Sequence, residues 1–109
     1  MKIVKIDFGV PKVGSGMTQS FGSDYYAFEV TSVSDDKKRV IVRSCKPNVI
    51  SGSVCDGTAV YDLTELYGRP TELRFRYGAW YNIFSDGRLP EKIKNMKFGV
   101  KIQYQDPSF

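Results

Sequence analysis

Two short stretches concentrate cations and aromatic rings. Lys37, Lys38, Arg39 and Arg43 crowd the first, with Tyr25 upstream of them. Arg74 and Arg76 occupy the second, beside Tyr77, Trp80 and Tyr81. Ammonium and guanidinium groups hold phosphate oxygens, and guanidinium does so through a rigid two-pronged fork. Tyrosine and tryptophan offer flat faces on which bases stack. This set therefore supports non-covalent recognition of an anion, either a nucleic acid or a nucleotide, with Arg43, Arg74, Arg76, Lys37, Lys38, Arg39, Tyr25, Trp80 and Tyr81 as the candidate binding residues.

Covalent chemistry has less to work with. The chain contains no histidine, so its serines and cysteines lack the usual base, and no Ser-x-x-Lys run replaces it. Carboxylates can also act as acid and base. Asp62 and Glu72-x-Arg74 follow the order of carboxylates and cation in one class of metal-dependent nucleases, but Arg stands where that class has Lys. A solvated strand edge is the plainer reading. Asp56-Gly57 and Asp86-Gly87 are turn signals before they are metal ligands. Gly14-Ser15-Gly16 has the composition of a phosphate cradle, yet Met17 to Gly22 neither open a helix nor supply the Gly-Lys-Ser positions such a loop needs. A flexible turn fits better. No catalytic residue, metal ligand or cofactor site follows from these patterns, and the expectation is a protein that is not an enzyme.

The 109 residues fit one domain spanning 1–109. Apolar residues make up 41% of the chain, enough to form a core, and the seven Tyr, seven Phe and one Trp suit strand faces. The net charge of +4 favours an anionic partner mildly, and solubility accounts for it equally well. Met1 to Asp7 alternates charged and apolar residues rather than forming the apolar core of a signal peptide. No apolar run of ~18 residues exists to cross a membrane. The expected location is the cytoplasm, with no membrane partner. Cys45 and Cys55 are then expected as reduced thiols packed like small hydrophobes, with a disulfide between them as the alternative. Two cysteines without histidine leave a zinc site half built.

Period and turn chemistry place the elements. Lys2 to Phe8 alternates as a strand. Residues 9–24, with Gly9, Gly14, Gly16 and Gly22, read as a long loop with room for a short strand around Val13 or Phe21. Tyr25 to Ser44 forms a hairpin about the polar turn Ser34 to Lys38. Cys45 to Gly57 is a second loop, Thr58 to Leu63 a strand, and Leu63 to Tyr67 a single helical turn. Thr71 to Tyr77 and Trp80 to Phe84 form another hairpin, with Gly78-Ala79 as a type II′ turn. Leu89 to Lys97, opened by Pro90 and Glu91, reads as a short helix. Phe98 to Tyr104 returns to β, followed by an extended tail. The fold class is mostly β: a small antiparallel barrel or rolled sheet of about six strands with at most one short helix, because closure hides sheet edges.

Two segments carry a resemblance: Val13-Gly14-Ser15-Gly16-Met17-Thr18 with Ser23-Asp24, and the tail from Gly99 to Phe109 ending Tyr104-Gln105-Asp106-Pro107-Ser108-Phe109. Together they resemble a set of small uncharacterised phage-encoded proteins, which carry a Gly-Met-Gly-Ala-Thr run, then Ser-Asp-Arg, and a Tyr-x-Asp-Pro/Tyr-Ser-Phe tail. This chain departs within the first run and has Tyr25 where Arg would stand. The resemblance implies a phage or prophage source and no activity. Two functions stay open. One is a non-catalytic module that binds a nucleic acid or nucleotide. The other is a protein-binding inhibitor, a host-takeover or anti-defence factor that grips a host protein through a loop or sheet edge. Uncovered edges would also allow self-association into a homo-oligomer.

Overall fold

The computed structural model describes residues 8–104. The expected strand Lys2 to Phe8, apart from Phe8, and the tail 105–109 lie outside them. Nine strands form among the described residues: β1 Gly16–Phe21, β2 Asp24–Val33, β3 Arg39–Cys45, β4 Asn48–Ser51, β5 Val60–Asp62, β6 Leu66–Arg76, β7 Ala79–Ile83, β8 Glu91–Lys92 and β9 Met96–Phe98. Seven make one antiparallel sheet in the order β8-β7-β6-β3-β2-β1-β9, while β4 and β5 pair separately. The only helix among the described residues is a 3-10 turn, Val54–Asp56.

The long sheet rolls up. The register slips between Val30 and Ser32 on β2 and between Val42 and Ser44 on β3, and each slip adds bend and twist. One short segment then meets both of its edges. Residues 91–92 pair with β7, and the Ile93 amide donates to the Trp80 carbonyl at 2.9 Å. Three residues later, 96–98 pair with β1, and the Ser20 amide donates to the Asn95 carbonyl at 3.1 Å. The expected short helix over Leu89 to Lys97 is therefore wrong. Ile93, Met96 and Phe98 face the interior, and pairing this segment with the two edges satisfies backbone groups that a short helix would leave exposed there.

Every strand of the roll except β8 sends residues inward, and Ile93 does so just after β8. Met17, Val30, Val40, Val42, Leu73, Trp80, Ile93 and Phe98 form the core, with Phe8, Phe28, Val33, Phe75 and Met96 packed around it. Trp80 anchors an aromatic cluster, its ring centroid 5.4 Å from Phe75 and 5.1 Å from Phe98. The contact with Phe98 is edge-to-face and that with Phe75 tilted, and such pairs add to the area that the rings bury.

Three local expectations need correction. The glycine-rich stretch is not a loop throughout, since 16–21 is a core strand and Gly22-Ser23 turns it into β2 with Phe21 opposite Asp24. Its polar residues are covered for a reason given below. The 63–67 helical turn is absent because β6 already begins at Leu66 and pairs with Cys45. In the β6–β7 hairpin the turn residues are Tyr77 and Gly78, both with positive φ (52° and 74°). That makes it a type I′ turn, shifted one residue from the Gly78-Ala79 register.

After β9 the chain leaves the sheet plane, so the strand expected over Phe98 to Tyr104 ends at Phe98. Residues 99–104 cross the outer face of β1 and β2 as a strap. The Thr18 hydroxyl donates to the Val100 carbonyl and accepts from the Ile102 amide, at 2.8 and 3.0 Å. Lys101 Nζ lies 2.9 Å from Glu29 Oε1. The Gln103 side chain accepts from the Ala27 amide, and Tyr25 and Tyr104 exchange backbone hydrogen bonds. The strap thus ends on the length of β2 that β3 leaves unpaired. It buries Thr18 and Ala27, which point away from the core.

Gly16 is where the strap comes closest. A Cβ there would stand 2.5 Å from Lys101 Cγ and 2.8 Å from the Val100 carbonyl. Gly16→Ala is expected to lower stability by about 1–3 kcal/mol through forced displacement of the strap. Gly14→Ala is not a matched control, because Gly14 has a φ of 84°; Lys12→Ala serves instead and should change little. Thermal unfolding of the variants checks this, and a Gly16→Ala protein as stable as the parent would contradict the close approach.

Candidate functional site

Strand parity decides which cations meet. On β6 the residues alternate, with Leu73 buried and Phe75 packed on the core, so Glu72, Arg74 and Arg76 turn outward. Pairing across the sheet then sets Arg39 opposite Arg74, Arg74 opposite Tyr81, and Tyr81 opposite Lys92. With strands ~4.8 Å apart, this row runs about 14 Å across four strands. The Phe75 amide donates to the Lys38 carbonyl, so the turn carrying Lys37 and Lys38 lies beside the Arg76 end of β6. Lys37, Lys38, Arg39, Arg74, Arg76 and Tyr81 are therefore brought to one region.

Two like charges directly opposite on neighbouring strands repel. Glu72 relieves that here. One of its carboxylate oxygens takes Arg39 Nη2 at 3.1 Å and the other takes Arg74 Nε. Burial works against ionisation of this carboxyl, but the hydrogen bonds from Arg74 and Arg39 outweigh it and hold its pKa below the ordinary glutamate value. Its contribution is thus present at neutral pH and lost only as pH falls through that lowered pKa. Arg76 and Lys92 make no ion pair among the described residues. Counting Lys37, Lys38, Arg39, Arg74, Arg76 and Lys92 against Asp35, Asp36, Glu72 and Glu91, the region keeps a net positive charge.

Three candidates stand apart. Trp80 cannot stack a base, because it is 4% exposed and fills the core; its alternation partner on the outer face is Tyr81. Arg43 pairs in register with Glu29 on β2, and its Nη2 donates to the Gly68 carbonyl at 3.2 Å. Its Nε is shielded from solvent and has no partner among the described residues. Four residues along β3 from Arg39, it lies about 13 Å from the row. Tyr25 sits at the far side of the roll, its ring centroid 6.5 Å from that of Tyr104.

The row also contains a residue that the helical reading of 89–97 hid. Lys92 is a strand residue, and Lys94 and Lys97 follow it along the same segment. The polar-apolar-polar run Lys92-Ile93-Lys94 was the available sign of a strand, and Pro90 pointed the other way.

The remaining chemistry is sparse. No group of three or more His, Cys, Asp or Glu side chains among the described residues could hold a metal. Gly14-Ser15-Gly16 runs into a strand, and the Gly14 amide and Ser15 carbonyl bond to Val30 rather than pointing at an open site. Both cysteines are free. Cys45 is buried as expected, whereas Cys55 is exposed in the 3-10 turn and is not packed. No helix among the described residues is long and apolar enough to cross a membrane. No family model, curated protein or solved structure matches the chain.

Burial pushes the Cys45 thiol pKa up, so both access and thiolate fraction are low there. Native-state labelling with a maleimide is expected to modify Cys55 quickly and Cys45 only on unfolding. Equal rates at the two sites would contradict the packing described.

Proposed function

We propose that the protein is a non-catalytic module that binds nucleic acid across the outer face of β3, β6, β7 and β8. The observation that carries this reading is the cross-strand row Arg39–Arg74–Tyr81–Lys92, with Arg76 beside it. The row offers guanidinium forks for phosphates and one ring for stacking. Its length of about 14 Å suits roughly four stacked nucleotides at ~3.4 Å each. Glu72 holds the two facing guanidinium groups in place when no anion is bound. A phosphate can take over the same neutralising role.

Binding of a fluorescent single-stranded oligonucleotide, followed by anisotropy over a range of salt concentrations, tests this. Log affinity should fall with log salt by ~0.7 for each phosphate engaged. Arg74→Ala and Arg76→Ala are each expected to weaken binding about fivefold, near 1 kcal/mol, and to flatten the salt slope. Arg43→Ala and the Lys37/Lys38 double alanine should cost no more than about twofold, because the first lies off the row and the others act through a screened attraction. Glu72→Gln should tighten binding. Equal, small losses in all the alanine variants would leave only diffuse attraction and refute the row.

A second reading, a protein-binding factor, has one observation in its favour. The β4–β5 hairpin buries none of its residues, and Val49, Ile50 and Val60 are 47%, 66% and 51% exposed. Exposed apolar groups clustered on a hairpin fit a protein contact. The resemblance to phage-encoded proteins would give such a contact a host-takeover or anti-defence setting.

A further inference from the structure

The strap and the closing segment leave a groove between them on the outer face of β1. Its volume is about 310 Å³, at the lower end of the range for small-molecule sites. Val100 and Ile102 of the strap form one wall with Tyr25, and Lys94 and Lys97 of the closing segment form the other. Ser20 lies on the floor. The register explains the assembly: Ser20 stands opposite Tyr25 on β2 and bonds to Asn95, while Thr18 stands opposite Lys97.

Two features of the groove point to its occupant. No carboxylate among the described residues lines it, so the two lysines of one wall stand in the groove with no counter-charge. Neither lysine makes an ion pair among the described residues. The opposite wall is apolar and ends in a tyrosine ring. A ligand that satisfies both walls carries an anionic group at one end and a flat ring at the other.

We infer that this groove binds a nucleoside monophosphate unit, its phosphate between Lys94 and Lys97 and its base against Tyr25, Val100 and Ile102. The site is separate from the arginine row and does not depend on it. A free mononucleotide and one nucleotide of a single strand share this chemistry, and the test below separates them.

Calorimetric titration of the full chain with AMP, adenosine, inorganic phosphate and a short single-stranded oligonucleotide provides the test. AMP is expected to bind more tightly than adenosine or phosphate alone. Lys94→Gln and Lys97→Gln should each weaken AMP about tenfold while leaving adenosine unchanged, since a charge-assisted contact is lost. Tyr25→Ala should weaken AMP and adenosine alike, again about tenfold, and Tyr25→Phe should restore both because stacking needs only the ring. Arg76→Ala should leave AMP binding as it is. If AMP fails to bind but the oligonucleotide binds with the same dependence on Lys94, Lys97 and Tyr25, the occupant is a nucleotide within a strand and the inference stands. If neither binds, or if binding ignores these three residues, the inference is overturned.

Discussion

The structure depends on one pairing arrangement: residues 91–98 join the two edges of a sheet that would otherwise lie open. Two hydrogen-bonded stretches do this, one on β7 and one on β1. Ile93 between them, and Met96 and Phe98 within the second, reach into the core that the other strands line. An exposed edge is a template for pairing with other chains, and in a sheet this small an open roll would also expose Trp80 and Phe75. The segment therefore completes the core and covers the edges of β7 and β1, while β8 and β9 become the two ends of the sheet order. The strap over β1 and β2 extends the same logic to the part of β2 that β3 does not reach.

That arrangement also sets where charge can sit. A rolled sheet has one apolar face inside, so every second residue on β3, β6, β7 and the closing segment must point to solvent. Arg39, Arg74, Arg76, Tyr81 and Lys92 are those residues, and register aligns them. The side chains that hold the roll together and those that give it a basic face come from the same strands, one parity apart. Phe75 in the core lies between Arg74 and Arg76, and Ile93 between Lys92 and Lys94. A substitution that shifts register by one residue would exchange the two sets and destroy both.

Much of this was legible in the sequence, because period is a local property. The alternation of Val40 and Val42 with Ile41 and Arg43 marked the hairpin, and the shared face of Glu72, Arg74 and Arg76 followed from the same rule. What the sequence hid was long-range. Nothing near Leu89 to Lys97 announces that its partners are Trp80 and Ser20, so Pro90 and Glu91 suggested a helix. Polar Thr18 and Gln19 disguised a core strand, since Thr18 is buried by a strap more than eighty residues away in sequence. Trp80 and Tyr81 are neighbours of similar character, and only the fold decides which of the two lies in the core and which on the surface. The relation of Glu72 to Arg39 is likewise invisible until β3 and β6 pair.

The central claim is that a positively charged outer face of β3, β6, β7 and β8, fixed by closure of the roll, is the surface that meets an anionic polymer. An amide-resolved NMR titration with a short single-stranded oligonucleotide at low salt tests it most directly. The account predicts shifts at the amides of Arg39, Arg74, Arg76, Tyr81 and Lys92 that fade as salt is raised. Shifts confined to the β4–β5 hairpin or to the surroundings of Arg43, or no shifts at all, would contradict it.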